Sequence, residues 1–420
     1  MSEPRRAATS DVLILGGGAI GLACALFLLR AGRGVTVLEK TRIGAGSSHG
    51  NCGTITPSLL PLCAPGTVAK GLRWLLKPDA PLRIQPRFDP QLLGWLLGFA
   101  RRCNETDFHR ISSVKSRLLL ASRARLEQLV RDEQLSCEFE TGGTLSVYRD
   151  PAALDHANIE AELLRSLGVE VRILDGIAVR KLEPALNDSI VGAHLHSGDA
   201  RLRPNRYIAE LARVVRSAGG DIREGVAVTG FRSPGGTLEV VVTDQGDFAA
   251  KEVICALGAW SPPLLRALEL SLPIQPGKGY SITYSRPALA PTLPLTLKER
   301  SICVTAWGSG YRLGSTMEFA GYDSRLNRIR LDALTRGAAE YLHEPTGPRM
   351  EEEWYGWRPM CVDDLPIIGR APRLSNVMLA TGHGMLGITL SAITGQLVSE
   401  IVTGRTPSMD VTPFAVERFT

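Results

Sequence analysis

A glycine-punctuated run near the start constrains this chain more than any other feature. Val12 to Leu15 is apolar and β-compatible, and Gly16-Gly17-Gly18-Ala19-Ile20-Gly21 follows it. Leu22 to Arg30 is helical in composition and stops at Gly32 and Gly34; Val35 to Leu38 is a second apolar stretch, closed by Glu39. The order predicts strand, tight turn, helix, strand, and the glycines fit GxGxxG. Gly16 permits the turn, Gly18 lets the backbone approach a pyrophosphate, and Gly21 lets helix and strand pack closely. Free N–H groups and the positive dipole end at the helix start, around Ala19 and Ile20, favour phosphate. Glu39, 18 positions beyond Gly21, can accept from ribose hydroxyls and disfavours the 2′-phosphate of NADP. The motif predicts a dinucleotide site; it does not choose between FAD and NAD.

The same run has to be told apart from a membrane span. Val12 to Leu29 is 18 residues without a charge, with Arg5-Arg6 ahead of it in the manner of a twin-arginine signal. Gly16, Gly17, Gly18 and Gly21 break it into strand, turn and helix, and no small-residue cleavage site follows. The expectation is a cytoplasmic protein with at most peripheral contact with the inner face of the membrane. The net charge of +5 comes without a dense Lys/Arg run, so nucleic acid is not an expected partner. Eight cysteines show no CxxC and no zinc spacing; Cys24 and Cys255 lie in apolar runs and read as reduced, buried thiols. His194 and His196 alternate on one strand face without a third ligand, so no metal is expected. At 420 residues, with 44% hydrophobic and 22% charged, the chain is an ordinary globular protein of two or three domains.

Further along, apolar spacing predicts helices between about 90 and 134, over Asn205 to Ser217 and over Leu326 to Leu342. Strands are expected around Phe139 to Tyr148, Val226 to Thr229, Leu238 to Val242, Val253 to Ala256, Tyr280 to Tyr284 and Tyr311 to Gly314. Near the end, the strand Asn376 to Thr381 leads into Gly382-His383-Gly384-Met385-Leu386-Gly387 and an expected helix from Ile388 to Val402. This is again GxGxxG, but only 16 residues follow Gly404, with two prolines and no second strand ending in an acid. It therefore predicts a turn and helix start that present N–H groups to an anion, and no second NAD(P) domain.

Four segments together resemble the D-amino acid oxidase superfamily of FAD-dependent oxidoreductases, and within it most closely the bacterial D-amino acid dehydrogenases. They are GGGAIG with Glu39; the loop Ser47 to Gly53 continuing into CAPGTVAKGLRWLLKPDAPL; CALGAWSPPLL followed by QPGKGYSITY; and GWRPMCVDDLPIIG leading to TGHGMLGITLSAITG. The resemblance implies an α/β fold, with a Rossmann-type FAD-binding domain from residues 1–56, 203–262 and 357–420. A second α+β substrate domain, containing a mainly antiparallel sheet, would take 57–202 and 263–356. It also implies hydride transfer from the substrate Cα to flavin N5 in a D-amino acid, with electrons passed to a quinone or other acceptor. An alternative is an oxidase or dehydrogenase of glycine, sarcosine or a cyclic imino acid such as D-hydroxyproline. A NAD-dependent dehydrogenase and a non-catalytic flavoprotein subunit are the readings from other classes.

Residue by residue, the implied FAD contacts are Gly16, Gly18, Ala19, Ile20, Gly21, Glu39 and Lys40; Ser47, Ser48, Asn51, Cys52 and Gly53; Val226, Gly258 and Trp260; and Gly384, Met385, Leu386, Gly387, Ile388 and Thr389. A helix N-terminus near Gly387 would stabilise the negative charge of a reduced flavin. The flavin is expected to be non-covalent, because the position of the linking cysteine in sarcosine-oxidase relatives is Gly356 here. Arg358 is the candidate for the substrate carboxylate, since a planar fork suits that group. Tyr280 is a candidate substrate or flavin contact, and His49 a further candidate for the reacting site. Two departures stand out: Asp363-Asp364 replaces the family's frequent Asp-Gly, and the loop reads His49-Gly50-Asn51-Cys52.

Overall fold

A computed structural model describes residues 8–419; Arg5 and Arg6 lie outside the described residues. The opening motif folds as its spacing requires. The strand Ala8–Leu15, the helix Ala19–Arg30 and the strand Val35–Glu39 form a right-handed start to an eight-stranded sheet. Asp221–Glu224 extends that sheet parallel to Val35–Glu39, and Gly246–Cys255 lies parallel on the other side of Ala8–Leu15. Val377–Thr381 then pairs in parallel with residues 253–255. The C-terminal ends of these strands meet at the turns after Leu15, Cys255 and Thr381, where α/β sheets bind ligands.

One face of this sheet carries the helices Ala19–Arg30, Pro204–Ser217 and Ser391–Val402, and the 28-residue helix Glu105–Asp132 packs against Ser391–Val402. Leu22, Leu26, Tyr207, Leu211, Ile393 and Leu397 fill the space between them, with almost no exposure. Pro204–Ser217 is apolar on one side, with Tyr207, Ile208, Leu211, Val214 and Val215 buried as its 3.6 period dictates.

The second large sheet is mainly antiparallel. Its order runs Met350–Cys361, Ile274–Tyr284, Gly310–Phe319, Ile302–Trp307, Leu295–Leu297, Thr144–Tyr148, Gly192–His196 and Arg172–Asp175. The helix Arg328–Ala339 covers a core of Leu145, Ile282, Leu313 and Leu331. The strand Met350–Cys361 runs unbroken past residue 357, where a domain boundary is expected from the sequence. The C-terminal helix starts at Ser391, not Ile388, because residues 387–390 form a separate turn in which Leu390 N–H donates to Leu386 O. Among the described residues, no helix is long and apolar enough to cross a membrane.

Candidate active site

The first turn is shaped by backbone space. Gly16 has φ +109, and a Cβ there would lie 2.5 Å from Ala256 O. A Cβ on Gly21 would lie 1.9 Å from Gly16 O, so this helix can approach its strand only with glycine at that position. Gly18 is the N-cap of Ala19–Arg30 and has no side chain of its own to cap the helix. A Cβ on Gly18 would meet only Ser48 Oγ, at 3.4 Å, so the approach to the first-turn N–H groups is open. Ser48 Oγ accepts from Ala19 N–H at 3.2 Å and brings the Ser47 to Gly53 loop to the helix end. Glu39 Oε2 accepts from Gly17 N–H at 2.9 Å and Oε1 from Thr41 N–H at 3.0 Å. Oε1 also accepts from Thr41 Oγ1 at 3.3 Å, so Oε2 is the oxygen that keeps a lone pair for a further donor. Val226 N–H donates to Glu39 O, and Lys40 Nζ lies 5.9 Å from the Trp260 ring centre. A cleft of about 250 Å³ opens beside this corner, lined by Ile43, Gly44, His49, Asn205, Ile208 and Glu224 among others. A helix end whose N-cap is a glycine, an open backbone approach and a carboxylate at the second strand end together fit the ADP half of FAD.

The other expected flavin contacts gather against this corner. Asn51 Nδ2 donates to Met385 O at 3.4 Å, while its Oδ1 accepts from Gly53 N–H at 2.7 Å, so one amide joins the loop to the C-terminal glycine segment. Thr389 Oγ1 donates to Thr54 O, and Ser122 Oγ from the long helix donates to Thr389 O at 2.6 Å. Gly384 takes φ +53 and donates its N–H to Pro359 O. Gly387, Ile388 and Thr389 then begin a helical turn, whose first N–H groups lack intrahelical acceptors. Thr381 Oγ1 donates to Gly258 O, drawing Gly258 and Trp260 to the same strand end. His383 is buried, bonded through Nε2 to Thr394 Oγ1 at 3.0 Å, and burial pushes its pKa down to about 3.

The second sheet supplies the opposite wall. Gly277 pairs with Arg358 and Gly279 with Gly356 across neighbouring strands, so one sheet face is stripped of side chains around Arg358. A Cβ on Gly279 would sit 2.3 Å from Arg358 Cζ, and one on Gly356 2.2 Å from the Trp354 ring and 3.3 Å from Ser47 Cα. Arg358 therefore lies flat on a glycine floor that faces the Ser47 to Gly53 loop. Its Nη1 donates to Thr316 O at 2.6 Å and Nη2 reaches Ser315 O at 3.5 Å. Ser315 and Thr316 both have positive φ, at an irregularity in the pairing of their strand with Ile274–Tyr284. Cys52 reaches the same place: Cys303 donates to it, and Arg312 and Arg358 lie nearby, which together hold its thiol below the usual range against the effect of burial.

The structure places Tyr280 on the sheet face opposite Arg358 and pairs His49 with a carboxylate. Tyr280 is 1% exposed on the other sheet face, in the core of the second sheet, and donates its hydroxyl to Glu318. Its strand alternation places it with Lys278 and away from the glycine floor. His49 Nε2 pairs with Glu352 Oε1 at 2.8 Å at the loop edge. His194 bonds Asn158 and His196 approaches Ser146; among the described residues no group of three His, Cys, Asp or Glu side chains could hold a metal ion.

Two cations escaped the sequence reading. Arg312, 2% exposed, donates from Nη1 to the carbonyls of His49 (3.0 Å) and Asn51 (2.8 Å), and from Nε to Thr283 Oγ1, so it pins the flavin loop. Lys278 is 1% exposed, donates to Arg325 O, and lies 4.7 Å from the Tyr355 ring centre. Burial lowers the pKa of Lys278. The available signal for both was a basic residue inside an otherwise apolar strand, GYRLG and QPGKGY.

Residues 11–401 match the family described as DAO, FAD dependent oxidoreductase. The chain is 34% identical over 419 residues to a D-amino acid dehydrogenase of Methylobacterium radiotolerans, covering 97% of this chain and 99% of that one. It is 32% identical over 416 residues to a D-amino acid dehydrogenase of Granulibacter bethesdensis, with the same coverage. Among solved structures, glycine oxidase from Geobacillus kaustophilus superimposes with a TM-score of 0.80 at 24% identity, covering 97% of this chain and 98% of that one.

Proposed function

The chain belongs to the DAO family of FAD-dependent oxidoreductases, and from that premise we propose that it oxidises D-amino acids at the Cα–N bond and passes the electrons to a quinone or another acceptor. The observation that carries the reading is Arg358, held on a glycine floor beside the loop that adjoins the dinucleotide turn. Full-length similarity to proteins named D-amino acid dehydrogenase supports it.

In this reading the glycine-capped start of Ala19–Arg30 holds the pyrophosphate and Glu39 the ribose. The Ser47 to Gly53 loop, Gly258, Trp260 and the Gly384 to Thr389 turn hold the ring end. Bound FAD supplies the two-electron acceptor. Arg358 forms a charge-assisted fork with the substrate carboxylate and fixes which face of Cα is presented. No strong acid or base beside Arg358 is required, since positioning supplies most of the effect. His383 stays neutral at its low pKa. Tyr280 and His49 are given no part in the chemistry: the first is spent on Glu318 and the second on Glu352.

The division of the chain is proposed as residues 1–56 and 203–262 around FAD, with 57–202 and 263–356 forming the substrate side; because the strand Met350–Cys361 belongs to the second sheet, the last FAD segment is taken to begin after Cys361 and not at 357. A quinone acceptor implies work at the inner face of a membrane, through peripheral contact. The test is a screen of D- and L-amino acids, glycine, sarcosine and D-hydroxyproline with an artificial dye acceptor, alongside peroxide detection. Dye reduction by several D-amino acids with little peroxide is the expected outcome. Turnover of glycine or sarcosine alone, or stoichiometric peroxide, would replace it with an oxidase.

A further inference from the structure

The helix Thr67–Leu75 is built the wrong way round for a surface helix. None of its residues is buried. Its apolar residues form one stripe at i, i+4, i+7 and i+8 spacing: Val68 (41% exposed), Leu72 (62%), Leu75 (43%) and, one residue past the helix end, Leu76 (85%). On the wheel, that stripe centres away from Thr67, Gly71 and Trp74, the half-buried residues that face the protein. Lys70, Arg73 and Lys77 fall together on the face nearly opposite that stripe and are exposed. No acidic residue occurs between Gly66 and Pro78. Lys70 Nζ lies 4.9 Å from the Trp74 ring centre, on the side away from the apolar stripe, with Glu160 and Glu299 near it.

A soluble helix turns its apolar face inward. Here the apolar face is outward and the face opposite it carries Lys70, Arg73 and Lys77 with no acidic residue in the helix, which is the pattern of a helix lying in a membrane interface. A protein partner would have to present an acidic apolar groove; an anionic bilayer offers both properties over any area, and cationic side chains with long stems suit its headgroup layer. We propose that Thr67–Leu75 with Leu76 and Lys77 is the segment by which this protein docks on an anionic lipid surface, its leucines seated at the acyl boundary and Lys70, Arg73 and Lys77 among the headgroups. The proposal rests on the peripheral contact put forward above and gives it a location.

The experiment is flotation of the FAD-loaded protein with vesicles of phosphatidylcholine and phosphatidylglycerol in a 7:3 ratio, and with phosphatidylcholine alone. The wild type should float with the anionic vesicles. The variant Leu72→Asp/Leu76→Asp should bind at least about tenfold less, because both leucines are replaced at the seated face. Lys70→Glu/Arg73→Glu/Lys77→Glu should lose binding to anionic vesicles and become insensitive to lipid charge. Dye-linked turnover should be unchanged in both, since these side chains are exposed and lie outside the site. If the wild type floats and the leucine variant floats equally, this helix is not the docking segment although membrane contact stands. Loss of binding by Phe88→Ser alone, at the 97%-exposed Phe88, would move the surface to that loop. If the wild type binds neither vesicle, both the docking segment and the peripheral contact fall. If the wild type is larger than 45.4 kDa in solution and the leucine variant is not, the stripe joins two copies of this chain and the lipid proposal is overturned.

Discussion

Asp364→Gly should destabilise the protein, although glycine suits the backbone there better. Asp364 has φ +58, a conformation that costs a non-glycine residue about 1 kcal/mol. Its Oδ2 receives Lys115 Nζ at 2.5 Å and Leu62 N–H at 3.1 Å. The Lys115 and Asp364 side chains are only 3% and 7% exposed. Glycine relieves the strain but leaves a buried ammonium without its partner, which costs about 3–5 kcal/mol. The net loss is about 2–4 kcal/mol. With roughly 2.1 cal/mol/K of unfolding entropy per residue, a chain of 420 residues loses about 1 °C of Tm per kcal/mol, so Tm should fall by roughly 2–4 °C. Flavin fluorescence during heating reads this directly. Lys115→Met strands the carboxylate and should cost a similar amount. The double variant Lys115→Met/Asp364→Gly carries neither charge and should melt within about 1 °C of the wild type. A glycine variant that melts at or above the wild type, or a double variant in which the two losses add, would refute the reasoning.

Three further outcomes are expected. Arg358→Ala should lower kcat/KM by roughly 100-fold or more while the flavin-to-protein ratio stays near wild type, and Arg358→Lys should recover only part; steady-state kinetics with absorbance of bound flavin would read both. His196 has its pKa pushed down to about 3, mainly by burial, against about 6.5 when unfolded. The unfolded chain takes up that proton below pH 6.5 and the folded chain does not, so stability is full above pH 6.5 and falls as the pH drops. At pH 5 the loss is about 2 kcal/mol, and His196→Gln should therefore show a Tm drop from pH 7 to pH 5 smaller by about 2 °C. Heat-denatured protein should release FAD into the supernatant; flavin that stays with the precipitate would show a covalent bond.

The parts of the fold written in local pattern were readable from sequence. The strand, turn and helix around Gly16 need only apolar runs and glycines, and the helix Pro204–Ser217 announces itself by period. What was not readable depends on partners distant in the chain. Asp221–Glu224 is a charged tetrapeptide that becomes a strand only because it pairs with Val35–Glu39 at the sheet edge. Met350–Cys361 begins with acids and was not visible as a strand until Ile274–Tyr284 was laid beside it. That pairing also turns three separate glycines into the floor under Arg358, which no single motif shows. The sequence picked out Arg358 by resemblance but missed Arg312, whose hydrogen bonds go to loop carbonyls and a threonine on other segments and whose ion pair is with Glu352. Asp364 looked like a departure from the family; Lys115, 249 positions away, explains how its side chain is accommodated.

The central claim is that this chain uses bound FAD to oxidise amino acids of one hand, gripping the carboxylate with Arg358. Anaerobic addition of a D-amino acid to the yellow protein should bleach its flavin absorbance within the time of turnover, and the L-enantiomer should leave the colour unchanged. A flavin that stays oxidised with every D-amino acid tried, or that is bleached equally by both enantiomers, would contradict it.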